Sequence, residues 1–142
     1  MNELKVHSGG CLCSAVKFSA KGVSDVHVCH CTLCRRWSGG SSLSMGVSSV
    51  EFTGEANIGR YNSSAYAQRG FCRNCGSSLF FQMNDSDHCI LSMGAFDDSA
   101  DFVLGSEIYV DEKPLCYGFS GDHPRLTGAE FLASIGVSES EN

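Results

Sequence analysis

Seven of the nine cysteines in this 142-residue chain fall into three tight groups. Cys11 and Cys13 make a C-x-C after Gly9 and Gly10, Cys29, Cys31 and Cys34 make a C-x-C-x-x-C, and Cys72 and Cys75 make a C-x-x-C followed by Gly76. Thiolates at such spacings suit a soft tetrahedral metal centre, with zinc the usual occupant. An odd number of cysteines in clusters does not read as a disulfide framework, in which spacings are scattered. Gly76 can take the positive φ that a C-x-x-C turn commonly needs.

The Cys72 and Cys75 pair needs two further sulfurs to close a structural site, and two pairings compete. With Cys31 and Cys34 it makes a plain zinc ribbon and leaves Cys11, Cys13 and Cys29 without a function. With Cys11 and Cys13 it makes one closed four-thiolate site and leaves Cys29, Cys31 and Cys34 as a compact trio. Three protein ligands and an open position are the signature of a reactive zinc. Economy favours the second partition, and with it two zinc ions per chain.

The elements that position these groups read as short strands. Hydrophobic residues make up 42% and charged residues 18%, the composition of one globular domain, expected over residues 1–136 with a frayed tail at 137–142. Sixteen glycines against two prolines, with many serines and short apolar runs, point to strands joined by glycine turns. Strands are expected at Leu4 to His7, Ala15 to Ser19, Val26 to Val28, Leu43 to Val47, Val50 to Thr53 and Ile58 to Tyr61, the last three as a meander. Further strands are expected at Ala65 to Phe71, Ser78 to Gln82, His88 to Ser92 and Ser106 to Val110, with a helical turn after the trio. Thr127 to Glu130 fits a capping box before Phe131, Leu132 and Ile135, so a short helix should start there and stop at Gly136. Asp97, Asp98 and Asp101 read as a solvated loop. A net charge of −6 and a pI near 5.2 argue against nucleic-acid binding. There is no run near the ~18 apolar residues of a membrane span, nor a secretory apolar stretch after Met1, so a reducing, cytoplasmic setting is expected.

In order and spacing, Gly9 to Cys13, Cys29 to Arg36 and Phe71 to Gly76 resemble the motifs of the glutathione-dependent formaldehyde-activating enzyme family, also called the CENP-V/GFA domain. The resemblance runs from about Val6 to Arg125, with weaker echoes at Ser92 to Asp98 and at Ile108 to Pro114. It implies a small zinc-bound β-tent of antiparallel sheets with a short C-terminal helix, a structural zinc on Cys11, Cys13, Cys72 and Cys75, and a reactive zinc on Cys29, Cys31 and Cys34. The activity it implies is carbon-sulfur lyase chemistry on glutathione adducts. This chain departs from the family pattern in carrying Ser14 where many members have Gly, a change expected to be harmless. It also has Cys116 where many have Trp and Glu107 where many have His, two changes that bear on the substrate.

A zinc with three thiolates is a weaker Lewis acid than a histidine-ligated one, so a thiol is a better guest than a hydrolytic water. Glutathione or a similar small thiol is the expected partner, acted on through Cys29, Cys31 and Cys34. The competing reading is a non-catalytic zinc binding module for a protein partner or a thiol carrier. Arg35 and Arg36 could meet substrate carboxylates or simply balance charge. His30, between two ligands, should point away from the metal if the strand is extended. His88, Cys89, Cys116 and His123 could each close the trio's fourth position, although a structural or exposed role is the better expectation for each. Trp37, Phe80 and Phe81 belong to core packing by default.

Overall fold

Alternation of exposed and buried residues sets most of the secondary structure, which a computed structural model describes over residues 3–136. The expected tail at 137–142 lies outside the described residues. In chain order the strands are β1 (Lys5–Gly10), β2 (Lys17–Gly22), β3 (Asp25–Cys29), β4 (Ser42–Thr53), β5 (Ile58–Asn62), β6 (Ala67–Cys72), β7 (Ser78–Met83), β8 (Cys89–Ser92), β9 (Val103–Ile108) and β10 (Arg125–Leu126). Helix α1 (Thr32–Ser38) lies between β3 and β4, and α2 (Gly128–Ser134) follows β10. The protein is thus mostly β with two short helices. Its chain divides into two compact units, one from Met1–Asp25 and Ser44–Val103, the other from Val26–Leu43 and Leu104–Asn142.

In the first unit β1 pairs antiparallel with β2, and β2 with β4. β2 turns Phe18, Ala20 and Gly22 inward and its polar residues outward. Residues 44–47 of β4 pair with β8, whereas residues 47–53 pair with β2. The chain here is one twelve-residue strand, not the two strands expected on either side of Ser48 and Ser49. It serves one partner after another, so the polar pair in its middle does not have to turn. The expected meander is also displaced. Gly54, at φ 81°, and a one-turn 3-10 helix at Glu55–Asn57 redirect the chain after β4, and β5 instead opens an antiparallel run with β6, β7 and β8.

The core of this unit is aromatic. Phe18 meets Phe96 edge to face at 5.2 Å, Phe96 meets Phe102 at 5.3 Å, and Phe52 lies 5.4 Å from Phe80. Gly70 is paired across strands with Phe80, whose ring covers it so closely that any Cβ there would collide with it. Phe80 and Phe81 divide their roles: Phe80 is buried, while Phe81 is half-buried with the Arg69 guanidinium 5.2 Å over its ring.

The second unit holds most of β3 and β9, together with α1, β10 and α2. β3 buries Val26 and Val28 and faces His27 outward, where its ring meets Ser106 of β9 at 2.6 Å. The expectation of antiparallel pairing holds throughout the first unit, but in the second β10 runs parallel to β9, matching Arg125 to Glu107 and Leu126 to Ile108. A long connection from Ile108 to Arg125 makes this possible, since parallel neighbours need a crossover and not a tight hairpin. β9 stops at Ile108, short of the expected Val110, because Tyr109 enters the left-handed region at φ 57° and starts a 3-10 turn at Val110–Glu112. α2 has the full capping box, with Thr127 accepting from the Glu130 amide and Glu130 reaching back to the Thr127 amide at 2.8 Å. Leu132 is the buried side chain of this helix, while Ile135, expected in its apolar face, is more than half exposed.

Ser14 closes the turn between β1 and β2 at φ 68°, a conformation suited to glycine. The substitution therefore carries a backbone cost. Ser14→Gly should stabilise the protein by about 1 kcal/mol, the left-handed penalty less the extra entropy of glycine. Thermal unfolding reads this as a rise of a few degrees, and an unchanged or lowered midpoint would show that the serine is unstrained.

Candidate functional site

The first unit brings two turns to one point. Cys11 and Cys13 leave the end of β1, Cys72 ends β6 and Cys75 sits in the turn to β7, and all four sulfurs lie within 4.8 Å of one another. The Cys11 to Cys13 separation is 3.6 Å and the Cys13 to Cys72 separation 3.8 Å. A tetrahedron with metal–sulfur bonds of about 2.3 Å has edges of about 3.8 Å, so the donor set fits a metal held by four thiolates. Local folding supplies the geometry. The Gly76 amide donates to the Cys72 carbonyl at 2.8 Å, with Gly76 at φ 82°, and the Cys11 amide donates to the Val16 carbonyl at 3.0 Å.

Polar hydrogens point at these sulfurs. Val16 N–H donates to Cys11 Sγ at 3.2 Å, Asn74 Nδ2 donates to Cys13 Sγ at 3.1 Å, and Ser77 Oγ lies 3.1 Å from Cys75 Sγ. As thiols, Cys75 and Cys72 are driven apart in acidity. Hydrogen bonds from the Ser77 side chain and amide pull Cys75 down to about 5. The Cys75 amide also favours the Cys72 thiolate, but burial and crowding by Cys11 and Cys75 carry that thiol up to about 11. A set split in this way holds part of the negative charge that a cation would neutralise.

In the second unit Cys29, the last residue of β3, Cys31, the N-cap of α1, and Cys34, in its first turn, bring their sulfurs within 4.8 Å. All three are half-buried, and Cys31 Sγ accepts from the Cys34 amide at 3.4 Å. Hydrogen bonds from Cys29 and then Cys34 pull Cys31 down to about 2, while contacts with Cys31 and then Cys34 push Cys29 up. Among the described residues no fourth His, Cys, Asp or Glu joins this group. The arrangement offers a metal three sulfurs. Cys31 and Cys34 therefore cluster with Cys29 and not with Cys72 and Cys75.

The other candidate residues lie elsewhere. Cys89 is buried in β8, where burial pushes its thiol up to about 12, and His88 lies beside Gly46; both belong to the first unit. Cys116 is exposed. Arg35 is engaged within its own unit, its Nε donating to the His30 carbonyl at 3.0 Å and its Nη2 to Thr32 Oγ1 at 3.3 Å. Arg36 is exposed, two residues beyond Cys34 and so about 200° round the helix from it. Trp37 is half-buried in the same helix.

His30 and His123 meet on one carboxylate. Glu107 is 1% exposed, and its Oε1 accepts from His30 Nε2 at 2.8 Å. Its Oε2 accepts from His123 Nε2 at 2.6 Å and forms an ion pair with Arg125, whose Nε lies 3.0 Å away. The other ring nitrogen of His30 lies 2.9 Å from Ser41 Oγ, which in turn bonds the Tyr117 hydroxyl. Sequence reasoning missed Ser41, Tyr117 and Arg125, which carry no motif and come from distant positions. It also missed Asn74 and Ser77, although both sit in or beside a cysteine knuckle, the one signal that could have found them.

Burial alone would raise the Glu107 carboxyl, but hydrogen bonds from His123 and His30 and the charge of Arg125 outweigh it and hold the group below its usual range. A depressed folded-state value means that the carboxylate contributes stability above its unfolded value, lost as pH falls through the folded one. The gap in melting temperature between the parent and Glu107→Gln should be widest above about pH 5 and narrow below it. A gap constant from neutral to acid pH would show that the charge contributes nothing.

The family model described as glutathione-dependent formaldehyde-activating enzyme (GFA) matches residues 6–112, a stretch that includes all seven clustered cysteines. A Schizosaccharomyces pombe protein described as an uncharacterized lyase is 30% identical over 132 residues, covering 91% of this chain and 96% of its own. A Rhodobacter sphaeroides protein of known crystal structure superposes with a TM-score of 0.54 at 20% identity, covering 83% of this chain and 98% of its own, and so shares the fold. The chain belongs to the glutathione-dependent formaldehyde-activating enzyme family.

Proposed function

We propose that the protein is a zinc-dependent carbon-sulfur lyase that makes or breaks the bond between the sulfur of glutathione, or a similar small thiol, and a carbonyl-derived carbon. The observation that carries this reading is the trio of Cys29, Cys31 and Cys34, three converging sulfurs with no fourth ligand beside them among the described residues. The family match and the lyase description of the S. pombe relative support it.

In this reading Cys11, Cys13, Cys72 and Cys75 hold a structural zinc, closed by four thiolates, while Cys29, Cys31 and Cys34 hold a second zinc that reacts. Bound there, zinc supplies a soft Lewis acid that keeps an incoming thiol ionised near neutral pH. The chain's own residues set the stage. His30 turns its ring to Glu107 and Ser41, and so leaves the fourth position to substrate. Arg35 ties the first turn of α1 to the backbone between Cys29 and Cys31, which fixes the spacing of the sulfurs. As the carbon-sulfur bond forms at the expense of the carbonyl π bond, the oxygen takes up the proton that the thiol gave up on ionising; as the bond breaks, the π bond re-forms and that proton returns to the released thiol. Nine free cysteines accord with a reducing, cytoplasmic setting. The family match runs through both units, which supports reading residues 1–136 as one functional domain.

Metal analysis of the purified protein should return two zinc ions per chain. After cobalt substitution, glutathione should change the absorption of one centre only. Two metals that both ignore glutathione would make the protein a non-catalytic binding module.

Serine substitutions separate the centres. Cys72→Ser should forfeit a large part of the roughly 10 kcal/mol that a structural zinc contributes to folding. Cys34→Ser should stay within about 1 kcal/mol of the parent in denaturant unfolding while losing the glutathione response. Equal destabilisation by the two would remove the distinction between a closed and an open centre.

A further inference from the structure

His30 stands between Cys29 and Cys31 in the chain, and every polar atom of the residue is held. Its amide donates to the Ile108 carbonyl at 3.1 Å, and its own carbonyl accepts from Arg35. Its ring is 0% exposed, fixed at one nitrogen by Glu107 and at the other by Ser41. Cys29 and Cys31 are the two chain neighbours of His30, so holding its ring and both of its backbone groups limits how far either cysteine can shift. Glu107 is the anchor. Its second oxygen is held by His123 and Arg125, and Arg125 in turn donates to the Phe119 and Gly121 carbonyls at 2.9 and 3.0 Å.

Stability alone gives little reason for such a group. A sealed carboxylate surrounded by donors is often no better for stability than a well-packed apolar cluster of the same volume, and its best-attested use is to specify one arrangement. Each of its partners belongs to the second unit, and one of them is flanked on both sides by a member of the cysteine trio.

We propose that Glu107 is a positioning residue for the three-cysteine centre: through His30 it fixes the backbone from Cys29 to Cys31, and so the spacing at which the three sulfurs grip a metal. The proposal rests on reading Cys29, Cys31 and Cys34 as a metal centre and adds the residue that holds this centre in shape. Ser41 braces the same ring from its other side, and Tyr117 closes the chain at the surface. Neither Glu107 nor Ser41 is a ligand. Their influence falls on how long the metal stays and on the symmetry of its sulfur shell, as is usual for groups that orient the residues around a centre.

The test follows cobalt release from the fully loaded, full-length protein into a chromogenic chelator, with the absorption of each centre recorded beforehand. Glu107→Gln should speed release from the trio by about tenfold or more and shift its sulfur-to-cobalt charge-transfer band. Release from the four-cysteine centre should keep the parent rate. A lowered melting temperature with both release rates and both spectra unchanged would make Glu107 merely structural and overturn the proposal. Equal acceleration at both centres would also overturn it, as general loosening. If Glu107→Gln does not fold, Ser41→Ala tests the same brace, and an unchanged rate there would be equally fatal. Adding glutathione to the loaded parent separates this proposal from the lyase reading. A parent that ignores glutathione while Glu107→Gln still loosens the trio sinks the lyase reading alone. A parent that responds while the variant releases metal normally sinks the role of Glu107 alone, and a parent that binds a single metal ends both.

Discussion

Sulfurs that meet must share or surrender charge, and the first unit is organised around that requirement. Four of them converge from two turns far apart in sequence, at separations where thiolates repel unless protons or a cation intervene. The turns also hold each other directly. The Leu12 amide donates to Ser77 Oγ at 3.1 Å, and Asn74 reaches across to Cys13. The end of the β1–β2 hairpin and the β6–β7 turn are thereby drawn to one point. Phe18 and Phe80 of the aromatic core lie on β2 and β7, each entered through one of these turns, so sulfur clustering and apolar packing select the same arrangement.

The second unit solves a similar problem with a different group. Its trio of sulfurs comes from one short stretch, the end of β3 and the start of α1, so local folding is enough to assemble it. What local folding cannot provide is rigidity, since α1 is a short helix with no buried residue. Constraint comes instead from across the unit, from the sealed carboxylate of β9 and from Glu112, which accepts from the Thr32 amide at 3.0 Å and from its hydroxyl at 2.9 Å. One cluster brings four sulfurs together from two distant turns, while the other gathers three from a single stretch and is braced by its surroundings.

The sequence revealed the features that depend on near neighbours. The three cysteine groups, the Thr127 capping box and the alternation in β2 and β3 are short-range patterns, and each is found where its spacing puts it. The features that escaped depend on distant partners. His30 and Glu107 are 77 positions apart, and nothing at either residue announces the other. Ser48 and Ser49 look like a turn but sit within β4, because β2 and β8 take successive parts of one strand. The parallel β9–β10 pair depends on a long connection with no periodic pattern, and the early end of β9 on a left-handed tyrosine.

The second unit is built from two stretches of chain with most of the first unit inserted between them. On a ribosome adding about 5 to 20 residues each second, the 77 positions from His30 to Glu107 take roughly 4 to 15 seconds. By then Cys75 has been made, and the first unit has all four sulfurs of its cluster. The trio emerges before any of these later parts, yet its carboxylate anchor is among the last to be made. Order of manufacture and order of completion therefore differ: the three sulfurs of the trio are made together and early, yet stay unbraced while the four-cysteine cluster acquires its full set.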